Sequence, residues 1–195
     1  MKQSGRETGR HSSVYSAAHR FFLKRELLGI KEKKTGPTNK KAKLEVEQKY
    51  DVSSICLYGE DEGDVPMFDT CDEVRKKIRA FLRKSGMTRT AFCREISKTL
   101  PDRDGKSLQT SPLNSFLAKS GPAAGNQSLI FYAAYVFFEK LRIRDGKPKT
   151  EFRLDMEDVW PLGFDRNVSS NQVYFTRVGK ELYTDEYGRV RSMWV

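Results

Sequence analysis

The side chains best suited to chemistry are cationic and lie close together, in residues 72–84, where six lysines and arginines follow two acids. Apolar residues at 74, 78, 81 and 82 recur at helical spacing, so they would share one face and leave the basic side chains on the other. Guanidinium and ammonium groups bind phosphate oxygens. The phosphate-contacting residues predicted on this helix are Arg75, Lys76, Arg79 and Arg83.

Two short helices are predicted next, at residues 89–97 and 112–119. Thr88 is a typical N-cap, and Pro112 suits a first helical turn. The polar positions between the apolar residues of the second helix could read DNA bases, because asparagine pairs with adenine and lysine donates to guanine. The predicted base-contacting residues are Asn114, Ser115 and Lys119. Further phosphate contacts are predicted at Thr88, Arg89, Arg94, Arg103 and Lys106.

The order of a basic helix, two short helices and a long helix at residues 128–144 is similar to the lambda-repressor-like helix-turn-helix superfamily. That resemblance implies that Cys93, after the bulky Phe92, is the small residue at a close helix crossing, and that the third helix enters the major groove of DNA. The chain departs from the superfamily at residues 98–110, which form a long loop instead of a tight turn.

An internal repeat relates residues 3–33 to residues 119–149 without a gap, with 11 identities in 31 positions. The identities include paired glycines, an Ala-Ala pair and a Phe-Phe pair. This pattern predicts the tail of one module followed by one complete module. The predicted segments are a remnant at 1–30 with a helix at 13–28, a charged linker at 31–64, a complete module at 65–150 and an extension at 151–195.

Two stretches of the complete module, VPMFDTCDEVRKKIRAFLRKSGMTRTAF and FLAKSGPAAGNQS, resemble a fungal domain family of unknown function. The resemblance covers about residues 65–150, with residues 3–33 as a partial copy. It implies domain boundaries and a fungal source, and it implies no activity. In the partial copy, Phe21 and Phe22 would lack a core of their own, so we expect them to pack on the complete module, on a missing segment or on a second chain, where they would form a protein interface.

The composition narrows the class of partner. The net charge of +10 favours a polyanion, here double-stranded DNA. Three cysteines and two histidines predict neither a disulfide framework nor a zinc site. No apolar run is long enough for a membrane span. Two lysine clusters in residues 31–48 resemble a nuclear localisation signal. A solvated linker is the alternative, and the net basic charge of the whole chain slightly favours the signal. Residues 51–73 carry eight acids and no lysine or arginine, which favours an acidic linker over an internal mimic of phosphate.

The expected fold is mainly α: a compact four- to five-helix, helix-turn-helix-like module with a small C-terminal β-hairpin appendage. Residues 172–178 alternate as a strand, and a hairpin is predicted to turn at Asp185–Gly188. The expected function is that of a nuclear, non-enzymatic DNA-binding protein that regulates transcription or chromatin, without cofactor, metal, membrane or small-molecule substrate. The alternative is a non-catalytic protein-interaction module or homodimer within a chromatin complex, acting through helix 13–28. RNA binding through Tyr174 and Phe175 is a third possibility.

Overall fold

The computed structural model describes residues 12–28, 49–101, 107–169 and 172–194. The chain divides into two units, residues 1–42 and residues 43–195. The first unit contains α1 (Ser13–Leu27), which confirms the helix predicted at 13–28. The second unit contains α2 (Cys71–Ser85), α3 (Arg89–Ser97), α4 (Thr110–Ala118), α5 (Leu129–Arg144) and α6 (Glu151–Val159), followed by β1 (Lys180–Thr184) and β2 (Val190–Trp194). The described residues are therefore mainly helical, with one small antiparallel sheet, as predicted.

Polar caps set where these helices begin. The hydroxyl of Thr70 accepts a hydrogen bond from the Glu73 amide at 3.4 Å, and the hydroxyl of Thr88 accepts one from the Ala91 amide at 3.2 Å. At its other end, α2 stops at Gly86, which has a φ of 66°. These groups satisfy main-chain donors and acceptors that the helix itself leaves unpaired. The bounds of α2, α3 and α5 therefore fall within one residue of those predicted.

Helix α5 forms the centre of the second unit. Every residue from Ile130 to Phe137 is buried, and α2, α3 and α4 all contact this helix. Because residues 130–137 are apolar around the whole circumference of the helix, this part has no solvated face and must be surrounded by other elements. The remaining helices supply one apolar face each, such as Val74 and Ile78 of α2.

Residues 49–64 belong to the packed unit, so the prediction of a linker across 31–64 is wrong for this part. Val52 is buried, and the ring of Tyr50 contacts that of Phe81 at 4.8 Å between centroids. Glu60 forms a salt bridge with Lys140, whose side chain is only 6% exposed. A buried ammonium group needs such a partner. The lysine clusters of residues 31–48 lie outside the described residues.

The C-terminal segment differs in two ways from the prediction. Sequence analysis missed α6, which the Thr150 side chain caps by accepting from the Arg153 amide at 3.3 Å. Residues 172–178 are not a strand; they have no partner strand among the described residues and are exposed throughout. The predicted hairpin is confirmed, with β1 and β2 paired in antiparallel register from Lys180–Trp194 to Thr184–Val190.

Candidate nucleic-acid interface

An open groove of about 760 Å³ lies where α2, α3 and α4 meet. We call it the arginine groove. Its lining residues are Arg79, Leu82, Arg83, Met87, Arg89, Asn114, Leu117 and Ala118. Four of them were selected from the sequence as candidate contacts, three for phosphate and one for bases. The structure thus brings together residues that lie up to 35 positions apart in the chain.

Helix α2 supplies two of the three arginines. Arg79 and Arg83 are four residues apart, so they lie one turn apart on the same side of the helix. One Nη of Arg79 donates a hydrogen bond to the main-chain oxygen of Leu117 at 2.7 Å. That carbonyl lies in the last turn of α4, where main-chain acceptors lack helical partners. This bond ties α2 to α4 and fixes one guanidinium at the edge of the groove.

The third arginine, Arg89, is the first residue of α3, and it orients Asn114 of α4. Its Nη1 donates to Asn114 Oδ1 at 2.7 Å. An arginine has no acceptor, so the oxygen of the asparagine amide must face it. The amide nitrogen of Asn114 then points away from Arg89 as a donor for a ligand. Thr88, exposed beside this pair, keeps its hydroxyl hydrogen after capping α3.

All the charged side chains that line the arginine groove are positive. Its lining contains three arginines and no carboxylate. Across the described stretches of chain, none of these arginines is in an ion pair with an acid. The amino-terminal end of α3 adds the positive end of a helix dipole. An arrangement of guanidinium groups without acids is suited to binding phosphate oxygens.

Cys93 of α3 contacts the residue that precedes α4. This side chain is buried, and its thiol donates to the main-chain oxygen of Gln109 at 3.5 Å. Burial raises the pKa of the Cys93 thiol. The close helix crossing that the sequence analysis expected at this residue stays a prediction. The helix-turn-helix character of the module as a whole stays a prediction.

Arg75 is not a surface residue, and its placement on the outer face of α2 was wrong. It is fully buried, and its guanidinium donates to the main-chain oxygens of Gly121 and Ala124 at 2.5 and 2.7 Å. It also pairs with Asp72 at 2.8 Å and lies 5.0 Å from the ring centre of Phe116. Because its side chain is enclosed, Arg75 is not available to phosphate. We call this set of contacts the Arg75 clamp.

Other predicted contact residues lie outside the arginine groove. Lys76 pairs with Glu73 at 3.0 Å on the exposed side of α2. Ser115 of α4, Lys119 just after α4 and Arg94 of α3 are exposed but do not line the groove. Arg103 and Lys106 lie outside the described residues. Sequence reasoning missed the anchoring of Arg79, since a main-chain acceptor leaves no residue type to recognise.

The predicted protein interface lies on α1, in the first unit. Phe21 and Phe22 are 57% and 55% exposed, with ring centroids 5.5 Å apart. Their counterparts in the repeat are Phe137, which is fully buried, and Phe138, which is partly buried. The repeat is not a replica, however: Arg20 corresponds to Val136, which is also fully buried. Packing α1 as α5 packs would bury a guanidinium, which is costly without a partner.

Among the described residues, no group of three histidine, cysteine or acidic side chains could hold a metal ion. No described helix combines the length and the apolar character that a membrane span requires.

Comparison with known proteins gives one match. A family model described as a domain of unknown function, DUF7726, matches residues 1–31 and 65–148. These two stretches include most of each copy of the internal repeat. No curated protein and no solved structure matches the chain. The fungal source suggested by the sequence stays a prediction.

Proposed function

The chain belongs to the DUF7726 family, and we propose that it is a nuclear, non-enzymatic protein that binds double-stranded DNA through the arginine groove. In this role it would regulate transcription or chromatin. One observation supports the proposal above all others: three arginines and one asparagine from three helices converge on a groove without carboxylates. A solvated basic surface would instead intersperse cations with acids, as Lys76 and Glu73 do.

The groove suggests a division of roles. Arg79, Arg83 and Arg89 bind phosphates, which fixes the position of the duplex without reading its sequence. Asn114 contacts a base, because its amide nitrogen is free to donate and its oxygen retains a second lone pair. The exposed side of α4 around Ser115 and Ala118 carries small uncharged side chains, which permits close approach to the floor of a major groove.

The test measures binding of the full chain to a labelled random-sequence duplex by fluorescence anisotropy at two salt concentrations. Three phosphate contacts predict a slope of log K against log salt of about −2.7, or about a 40-fold loss of affinity between about 50 and about 200 mM salt. Replacing Arg83 with alanine should reduce that loss to about 12-fold, because one fewer counterion is released. The charge-matched control is Arg177→Ala, at an exposed residue outside the groove.

Sequence preference tests the role of Asn114. Asn114→Ala should reduce discrimination among duplex sequences by about 1–3 kcal/mol at one position, whereas Arg83→Ala should weaken all sequences equally. The DNA-binding proposal is refuted if binding at low salt is absent, or if Arg177→Ala and Arg83→Ala change the salt slope equally. Identical sequence profiles for the Asn114 and Arg83 variants would refute the division of roles.

A second candidate function, a protein-interaction module or homodimer, is favoured by the exposed Phe21 and Phe22 of α1. Two exposed aromatic side chains on one helix are typical of an interface. Sedimentation equilibrium of the full chain should then give a dimer, which Phe21→Asp dissociates. The control is Phe175→Asp, at a residue that is 96% exposed and lies outside α1. A monomer at all concentrations would remove the homodimer from consideration.

A further inference from the structure

A second basic groove lies on the other side of α2. It has a volume of about 520 Å³, and α2, α5, the chain around residues 49–50 and the segment after α5 all contribute to it. At about 100° per residue, Lys77 and Lys84 project roughly 140–160° around the helix from Arg79. We call this the lysine groove. The sequence analysis did not find it, because its side chains come from segments almost 100 residues apart.

The rim of the lysine groove is cationic. Its lining includes six basic side chains, namely Lys49, Lys77, Lys84, Arg142, Arg144 and Lys147. Two carboxylates also line it, but both are already bonded: Glu139 to Arg142 at 2.9 Å, and Asp145 to Arg144 and Lys147 at 2.8 Å. The rim thus retains a net positive charge. Lys84 is exposed and has no ion-pair partner within the described residues.

The floor of the lysine groove is apolar and largely aromatic. Tyr50, Phe81, Phe138 and Leu141 line it. Tyr50 and Phe81 lie 4.8 Å apart at an interplanar angle of 72°, and Phe81 and Phe138 lie 5.7 Å apart at 70°. Such edge-to-face rings differ from the platforms on which nucleobases stack. They present an apolar surface against which a bulky apolar side chain can pack.

We propose that the lysine groove binds an acidic peptide segment that carries bulky apolar side chains. The apolar side chains pack against the floor formed by Tyr50, Phe81 and Phe138, and the flanking carboxylates meet Lys49 and Lys84 at the rim. The charge of the groove complements such a peptide, and complementarity of this kind selects the partner and speeds association. Lysines, as flexible point charges, accept carboxylates at varied positions, in contrast to the anchored guanidiniums of the arginine groove.

The probe is a fluorescein-labelled peptide with three acidic residues on each side of a Leu-Phe pair, titrated with the full chain. A second peptide has Ser-Ser in place of Leu-Phe and keeps the charge. The serine peptide should bind at least about tenfold more weakly, since burying one such side chain contributes about 1.5–3 kcal/mol. Lys84→Glu should weaken binding of the Leu-Phe peptide about tenfold, and Arg83→Glu, about 100° around α2 from Lys84 and in the arginine groove, should leave it within about twofold.

The same variants separate this proposal from the DNA-binding proposal. Lys84→Glu should retain duplex binding, and Arg83→Glu should lose it, so either proposal can fail alone. Equal binding of the two peptides would overturn the proposal that the floor binds apolar side chains. Equal effects of Lys84→Glu and Arg83→Glu on binding of the Leu-Phe peptide would show that it does not bind in the lysine groove. If a single-stranded oligothymidine bound more tightly than the Leu-Phe peptide and depended on Lys84, the groove would be a nucleic-acid site and the peptide proposal would be wrong.

Discussion

Replacing Arg75 with alanine should destabilise the protein rather than weaken a surface contact. The change removes the donors to the main-chain oxygens of Gly121 and Ala124, which are partly buried, and each such acceptor left unpaired costs about 1–3 kcal/mol. The contact with Phe116 adds up to about 1 kcal/mol. The pair with Asp72 adds little, since that carboxylate is half exposed. We expect a total loss of about 3–5 kcal/mol in the free energy of unfolding.

Urea denaturation, followed by circular dichroism, measures this loss. The midpoint should fall by about 1.5–2.5 M for a slope of about 2 kcal/mol/M. Arg75→Lys keeps the charge but reaches fewer of the three acceptors, so it should lose about half as much and remain folded if the alanine variant does not. Arg83→Ala is the matched control, and as an exposed change it should stay within about 0.5 kcal/mol of the native protein.

The opposite result would show that Arg75 is a surface residue. If Arg75→Ala lost less than about 1 kcal/mol of stability and weakened duplex binding as much as Arg83→Ala, the Arg75 clamp would be wrong. The sequence-based prediction of a phosphate contact at this position would then be right.

The glycines and cysteines of the second unit give two further predictions. Gly125→Ala should cost about 2–4 kcal/mol, because Gly125 has a φ of 101° and the added Cβ would lie 2.9 Å from the Phe116 ring. Gly146→Ala, where φ is 61° and a Cβ would meet nothing within 4 Å, should cost only about 1 kcal/mol of backbone strain; equal losses in urea denaturation would refute the role of Phe116. Of the three thiols, only the exposed Cys56 should react rapidly with a disulfide reagent at about pH 8, since burial raises the pKa of Cys71 to about 12 and encloses Cys93. More than one fast thiol in the native protein would contradict this packing.

Helices α1 to α5 were predictable because their signals are local, whereas α6 was missed. Apolar spacing and caps such as Thr70, Thr88 and Ser128 lie within a few residues of the helix that they define. The prediction of a strand at 172–178 was wrong because strand formation does not depend on local signals alone. Alternating side chains make a segment compatible with a sheet, but a strand also needs a neighbour to pair with, and the sequence does not specify one.

The candidate site was predictable by residue type and not by arrangement. Arg75 and Arg79 are the same residue type on one helix, one turn apart, yet one is enclosed and the other lines a groove. The difference depends on the carbonyls of Gly121 and Ala124, which approach Arg75 only when the chain after α4 folds back over α2. Likewise, the bond that orients Asn114 depends on how α3 and α4 cross.

The central position of α5 has a consequence for synthesis on the ribosome. Helices α2, α3 and α4 are synthesised before α5, the helix on which they all pack, and α5 is completed only at Arg144. Until then, their apolar faces, including Ile78, Phe92 and Phe116, have no common core to enter. The nascent chain therefore passes through a period in which these faces are open to aggregation or to chaperones. A slow stretch of translation before residue 129 would lengthen that period, whereas one after residue 144 would give α2, α3 and α4 time to pack on α5.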